Sequence, residues 1–390
     1  MKVLVVHNRY RSASPSGENK LVDDEIRLLR EGGVDVVTMI EESDRLDGAG
    51  IVGLAEAAVG PVYAPAGVRR FRDVLLRERP DVVHLHNVYP LISPQVVRLS
   101  HSRRVPVVQT MHNYRHSCVN GLQFRDGAVC TDCDRSRLSL PAIQHGCYRG
   151  SRAQTLPMAI GRAVHRSTWS QVDRFLALTP FMARRLALNG IQERRITVRP
   201  SWVPDPGHSR TGGDDFVYVG RLDEAKGIPL LLKAWQQTRT SRRLVVVGSG
   251  PLAGAVEAAA SGDTSIVYLG QQGPAEVAAA IGAASAVVVP SLWFEGFPLT
   301  VVEAFAHGRP VVVLEGGSAA SVVDDRLGWR VARSHESLSD LLGAWDGDEA
   351  DRRGRAARAA YEALYSPIAA MSSLMQVYGE LAGRVGVVTR

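Results

Sequence analysis

Short runs of β-branched residues alternate with amphipathic stretches, break off at a proline- and glycine-rich segment, and then resume. Before the break the runs are Val3–His7, Val34–Ile40, Val82–His86, Val105–Thr110, Phe175–Leu178 and Ile196–Arg199; after it they are Phe216–Val219, Leu244–Val247, Ile266–Leu269, Ala286–Val289 and Val311–Leu314. Helical patterns lie between them, as at Glu25 to Arg30, Pro229–Gln237, Pro251–Ala260, Ala275–Ala280 and Pro298–His307. Strands separated by helices predict a mostly parallel sheet with helices on both faces. The break at 200–214 holds three prolines and three glycines with no periodicity, which marks a linker. Past residue 335 the pattern is helical, at Leu338–Trp345, Asp351–Tyr365 and Pro367–Ala382. The expected fold is α/β, with two Rossmann-like doubly wound domains facing across a cleft. Residues 1–200 form the first, 201–213 the linker and 214–365 the second, and 366–390 form a helix returning to the first. Open sheets of this kind bind ligands at the carboxyl ends of their strands, so the cleft is the expected site.

With 45% apolar and 22% charged residues, the chain is neither disordered nor fibrous. No uncharged apolar run reaches about 18 residues, and the apolar start is too short for a secretion signal, so the expected location is the cytoplasm. The net charge of +6 is uneven: residues 1–200 hold 29 Lys+Arg against 19 Asp+Glu, and residues 201–390 hold 17 against 21. Residues 149–199 contain ten arginines and two acids. Ser151–Trp169 reads as a basic amphipathic helix with Leu156, Ile160, Val164 and Trp169 near one side. It either docks peripherally on anionic lipid or packs on the sheet with its arginines in water. Nucleic acid is not an expected partner, because the basic residues show no aromatic interleaving or known module.

All four cysteines fall within 30 residues: Cys118, Cys130, Cys133 and Cys147. The Cys130-x2-Cys133 pair with a cysteine on either side is the pattern of a structural zinc site. Four thiolates leave no open position, so a catalytic metal is not expected there.

In the second domain, Phe216–Val219 runs into Gly220-Arg221-Leu222-Asp223-Glu224-Ala225-Lys226-Gly227, where two cations can converge on one anion. Lysine occurs only at positions 2, 20, 226 and 233, which singles out Lys226. Val247 ends in Gly248-Ser249-Gly250-Pro251, a turn that permits close backbone approach to a ligand or simply a tight bend. The segment Ser291-Leu292-Trp293-Phe294-Glu295-Gly296-Phe297-Pro298-Leu299 opens a helix with proline near its start. Its N–H groups and the helix dipole make an anion site, flanked by Glu295 and, two turns on, Glu303.

Arg221…Lys226-Gly227, then Glu295, seven residues and Glu303, resembles the retaining GT-B glycosyltransferases of family 4. Gly308-Arg309-Pro310, Gly316-Gly317 and Gly328 agree, as does Ser16-Gly17-Glu18 after the first strand, where the first of the family's two glycines is Ser16. The resemblance spans nearly the whole chain. It implies a GT-B fold and a UDP- or GDP-sugar donor as co-substrate, with a hydroxyl-bearing acceptor and no catalytic metal. Arg221 and Lys226 would hold the donor diphosphate, Glu303 the ribose, and Glu295 with the N–H groups of Gly296, Phe297, Pro298 and Leu299 the sugar and phosphate. Gly17, Gly248 and Gly250 would approach the donor, and His112 would lie near the donor sugar. His86, Asn87 and Asn113 fall on the acceptor side, whereas His84, on the same strand face as His86, is read as structural.

Overall fold

The computed structural model describes residues 1–12, 17–46, 50–207 and 213–388, so Ser16 and the end of the linker lie outside the described residues. The first half contributes β1 (Lys2–Arg9), β2 (Asp35–Glu42), β3 (Val82–Leu85), β4 (Val107–Met111), a small hairpin of β5 (Phe124–Arg125) and β6 (Ala128–Val129), β7 (Arg174–Ala177) and β8 (Ile196–Val198). Apart from the hairpin these form one parallel sheet in the order β2-β1-β3-β4-β7-β8. The second half contributes β9 (Asp215–Val219), β10 (Leu244–Val247), β11 (Ile266–Gly270), β12 (Ala284–Val289), β13 (Val311–Leu314) and β14 (Gly328–Val331). They form a second parallel sheet, β11-β10-β9-β12-β13-β14. Helices cover both faces of each sheet, which is why the central strands read as unbroken apolar runs: Val3, Leu4, Val5 and Val6 are all essentially inaccessible.

The strand Gly328–Val331 is absent from the apolar runs of the sequence. It pairs on one side only, with β13, so it needs no continuous apolar character. Its Gly328 is required because a β-carbon there would lie 2.2 Å from the carbonyl oxygen of Val311. The hairpin is two residues per strand, too short for any periodicity to reveal.

The segment joining the lobes is packed where it is described. Trp202 and Val203 are buried, the Tyr361 hydroxyl donates to the Val203 carbonyl (3.0 Å), and Arg358 pairs with Asp205 (2.7 Å). The last helix, Pro367–Val388, lies on the first sheet. There Leu374, Val377, Tyr378 and Leu381 pack against Val3, Val5, Val82 and Val108. Each such side chain, fully buried, contributes about 1.5–3 kcal/mol, enough to hold the chain end across the lobe boundary.

The basic stretch forms the helix Arg152–Val164 followed by a short turn, Arg166–Trp169. Its buried face is Thr155, Met158 and Ala159, and Trp169 is buried as well. Leu156, Ile160 and Val164 are instead exposed, one turn apart on the outer face.

The lobes touch directly. The Tyr114 hydroxyl, just past β4, donates to the carbonyl of Glu295 (2.9 Å) and lies 2.9 Å from Ser318 Oγ. Phe294 and Phe297 of the second lobe pack into the first lobe's core beside Phe181.

Candidate active site

The second lobe's wall is made by two loops at the carboxyl ends of β9 and β12. Gly227 ends the first loop with φ of 77° and lies so close to the second that a β-carbon would sit 1.9 Å from the Pro290 carbonyl oxygen. Only glycine fits both demands. The N–H of Leu292 then donates to the Ala225 carbonyl (2.8 Å), fastening one loop to the other. That arrangement brings Lys226 to Glu295, with Nζ 2.9 Å from Oε1. Glu295 is buried and also accepts from the Ser291 hydroxyl, while the Lys226 ammonium sits 5.6 Å from the centre of the Trp293 ring.

Arg221 stands on the same loop but is exposed and pairs with the buried Asp223. The hydroxyl of Tyr218 holds its carbonyl (2.8 Å). Glu303 lies on the helix Leu299–Ala306, whose first turn approaches β9. Burial raises its carboxyl above the usual range, opposed by Lys20 on the first helix of the other lobe. Gly17 begins that same helix, and a β-carbon there would be 3.9 Å from Leu299 Cδ1, so the two helix starts face one another across the gap.

Several expectations need correction. Pro298 has no N–H, and the Leu299 N–H is engaged with the Phe297 carbonyl (3.1 Å). Of the four residues from 296 to 299, only Gly296 and Phe297 can present a backbone donor. Gly248 and Gly250 owe their identity to the neighbouring loop: β-carbons there would lie 1.9 Å from the Gly220 oxygen and 2.5 Å from the Leu222 oxygen. The Gly248 N–H already serves the Gly270 carbonyl (2.8 Å). These glycines shape the Arg221 loop.

In the first lobe, His86 follows β3 and His112 follows β4. His86 Nδ1 and His112 Nε2 are 2.9 Å apart, with the rings stacked. His86 Nε2 faces Glu25 Oε1 at 3.4 Å, and the other Glu25 oxygen accepts from Arg199 (2.6 Å). Which ring donates in the His86–His112 contact depends on the tautomer. His112 Nδ1 is a buried atom without a hydrogen-bond partner. Burial holds His112 well below the ordinary histidine range, and neighbouring His86 adds to this, so it stays neutral. Burial alone would raise Glu25, but Arg199 and His84 outweigh it and keep the carboxyl well below the usual range.

His84 is structural: its two nitrogens are 2.6 Å from the Tyr378 hydroxyl and 2.7 Å from Thr110 Oγ1. Asn87 lines the first-lobe cavity, and its side-chain amide is engaged with the backbone of Asn8 and Tyr89. Asn113 stands within 3.5 Å of Glu18 and caps the Arg115 N–H (3.1 Å).

Glu25, His84 and His86 are the one group of three candidate ligands within 4.8 Å among the described residues. With Arg199 on the carboxylate and both His84 nitrogens engaged, their chemistry is that of a compensated polar network. The four cysteines line one small hollow, yet no three of their sulfurs share that 4.8 Å spacing. Zn–S bonds of about 2.3 Å place sulfurs about 4 Å apart, so these four thiols would have to draw together to hold a zinc ion. Burial raises Cys130, Cys133 and Cys147, with Cys133 pushed up to about 11, and the Cys118 thiol donates to Asn120 (2.9 Å).

Glu25, Arg199, Lys20 and Arg115 escaped the sequence reading. Glu25 carried a signal: it shares the buried face of the first helix with Val22, Ile26 and Leu29, where an acid needs a partner.

Comparison with known proteins shows what this arrangement is similar to. The family description "Glycosyl transferases group 1" matches residues 213–344, and "Glycosyl transferase 4-like domain" matches residues 16–202. An uncharacterised glycosyltransferase of Methanocaldococcus jannaschii is 23% identical over 333 residues, covering 80% of each chain. Among solved structures, the Anabaena protein HepE in complex with UDP superposes with a TM-score of 0.65 at 14% identity, over 97% of this chain and 100% of that one. Sucrose-phosphate synthase from Thermosynechococcus elongatus gives a TM-score of 0.70 at 18% identity, over 98% and 99%.

Proposed function

Because the chain belongs to the group 1 glycosyltransferases, with the GT-B fold, we propose that it moves a sugar from a nucleoside-diphosphate donor to an acceptor hydroxyl, with retention of configuration and without a catalytic metal. The observation that carries this reading is the pairing of Lys226 with Glu295 on one wall of the gap, with Glu303 on the adjoining helix. A diphosphate leaves as an anion. Lys226, the Gly296 and Phe297 N–H groups and the start of the helix supply positive potential where that charge develops, the role a divalent cation would otherwise play. Arg221 joins them once its guanidinium turns from Asp223 to the phosphate. Glu303 accepts from ribose hydroxyls, and Glu295 orients the sugar through its remaining oxygen. His112 Nδ1 accepts from a sugar hydroxyl across the gap.

In the retaining scheme the acceptor oxygen attacks the anomeric carbon from the face the diphosphate leaves. The bond from that carbon to the phosphate oxygen breaks, the new glycosidic bond forms, and the acceptor proton passes to a phosphate oxygen. No protein base is required. The presence of UDP in the HepE complex supports a uridine donor as the first candidate.

The test is incubation with a panel of UDP- and GDP-sugars, reading released nucleoside diphosphate and the anomeric configuration of any product. Slow release from one donor is the expected result. Tight donor binding with no release, with or without acceptors, overturns the reading in favour of a binding subunit.

A further inference from the structure

We propose that the acceptor carries a phosphate or pyrophosphate group, held in an arginine-walled cavity of the first lobe. The proposal rests on the transferase reading and names its second substrate by class. A cavity of about 680 Å³ is lined by His86 and His112 and otherwise entirely by first-lobe residues. Its wall includes Arg115, Arg135, Arg137, Arg162, Arg166 and Arg195, and a single acid, Glu18. The six arginines come from four separate stretches of chain, so no local pattern made them neighbours.

Their charge is left uncompensated. Among the described residues, the five arginines other than Arg115 form no ion pair. Arg162 donates to the carbonyls of His116 (3.0 Å) and Ser136 (2.9 Å) and to the Ser139 hydroxyl (2.6 Å). Arg195 donates to the Val172 carbonyl (3.1 Å), and Arg135 to that of Leu188 (3.3 Å). Carbonyls orient a guanidinium without neutralising it. The nearby carboxylate of Asp134 is already taken by Arg185. Arg115, by contrast, lies deep, and its buried Nε has no hydrogen-bond partner.

Several like charges around one hollow cost free energy unless a multiply charged anion sits among them. A neutral sugar acceptor offers no such compensation. Phosphate oxygens match the guanidinium fork and carry more charge than a carboxylate. His112 lines the cavity and its carbonyl abuts Gly296, so a phosphate held there would keep the adjoining hydroxyl near the point of transfer. The phosphate can be that of a soluble sugar phosphate or of a lipid headgroup. Leu138 on the cavity wall and Leu156, Ile160 and Val164 on the helix bearing Arg162 are exposed, and either source is accommodated.

Two measurements test the proposal. In the first, inorganic pyrophosphate is titrated calorimetrically into the protein with UDP saturating, which removes competition at the donor site. Wild type is expected to bind, and Arg137→Glu/Arg166→Glu, changing two exposed side chains, to bind at least about tenfold more weakly. No binding to wild type, or equal binding to both, overturns the proposal whatever the fate of the transferase reading. In the second, one hexoside is offered as its phosphate ester, its carboxylate analogue and its methyl glycoside. The phosphate ester is expected to show a KM at least about tenfold below the other two. The double variant should lose that preference while hydrolysing donor at the wild-type rate. Equal KM values across the three acceptors overturn the proposal. Offering the phosphate ester free or on a lipid chain in phosphatidylcholine vesicles identifies the source, and preference for either form supports a phosphate-bearing acceptor.

Discussion

Gly296 lies against the backbone carbonyl of His112 so closely that a β-carbon on Gly296 would sit 1.9 Å from that oxygen. The two residues belong to different lobes, and each follows the carboxyl end of a strand that faces the gap. Contact of this kind is possible only for glycine, and it sets how near the His112 side chain comes to the Lys226–Glu295 pair.

Gly296→Ala must therefore spread the lobes or tilt one loop. The expected outcome is a kcat reduced about tenfold or more, equivalent to about 1.4 kcal/mol in the barrier, with little change in the thermal midpoint. Steady-state kinetics and a melting curve read the two effects separately. Wild-type kcat in this variant would show that the close contact is dispensable.

Lys226→Ala removes a charge from the leaving group and strips the buried Glu295 of its cation. Loss of one such stabilising group lowers kcat by about 10²–10³. Donor titration alongside kinetics separates binding from chemistry, and a loss under threefold would remove Lys226 from its proposed role.

Glu25→Gln breaks a buried ion pair with Arg199, whose side chain is only 2% exposed. Leaving that charge alone costs about 3–5 kcal/mol, seen as a lower denaturant midpoint. Adding Arg199→Met should recover part of the loss, because the two changes share one interaction. Simple additivity in the double variant would argue against the pair as the cause.

His84 is fully buried, and its pKa is lowered to about 3, chiefly by burial and then by His86. The unfolded chain binds a proton at this residue below its ordinary value of 6.5, whereas the folded chain does not until about pH 3. Stability is therefore unaffected above pH 6.5 and falls as the pH drops from there toward 3, with a limiting slope of about 1.4 kcal/mol per pH unit. Denaturation at pH 7.5, 6 and 5 should show a shallower decline in His84→Gln than in wild type. Parallel declines would mean that other groups carry the acid sensitivity.

The alternation of strands and helices, the break between the lobes and the loop glycines were legible in the chain itself. Each reflects a requirement that a residue meets locally: a strand buried on both faces must be apolar throughout, and a turn with positive φ selects glycine, as at Gly227. The one-sided pairing of Gly328–Val331 left too faint a pattern to read, and so did the two-residue strands of the hairpin. Packing alone decided that Glu25 would reach Arg199 and two histidines, that Asn87 would be spent on backbone, that the four cysteines would line one hollow, and that six arginines would share one cavity. Such distances depend on how separate elements are placed in three dimensions. Periodicity records which face of its own element a residue occupies and carries no information about what stands opposite.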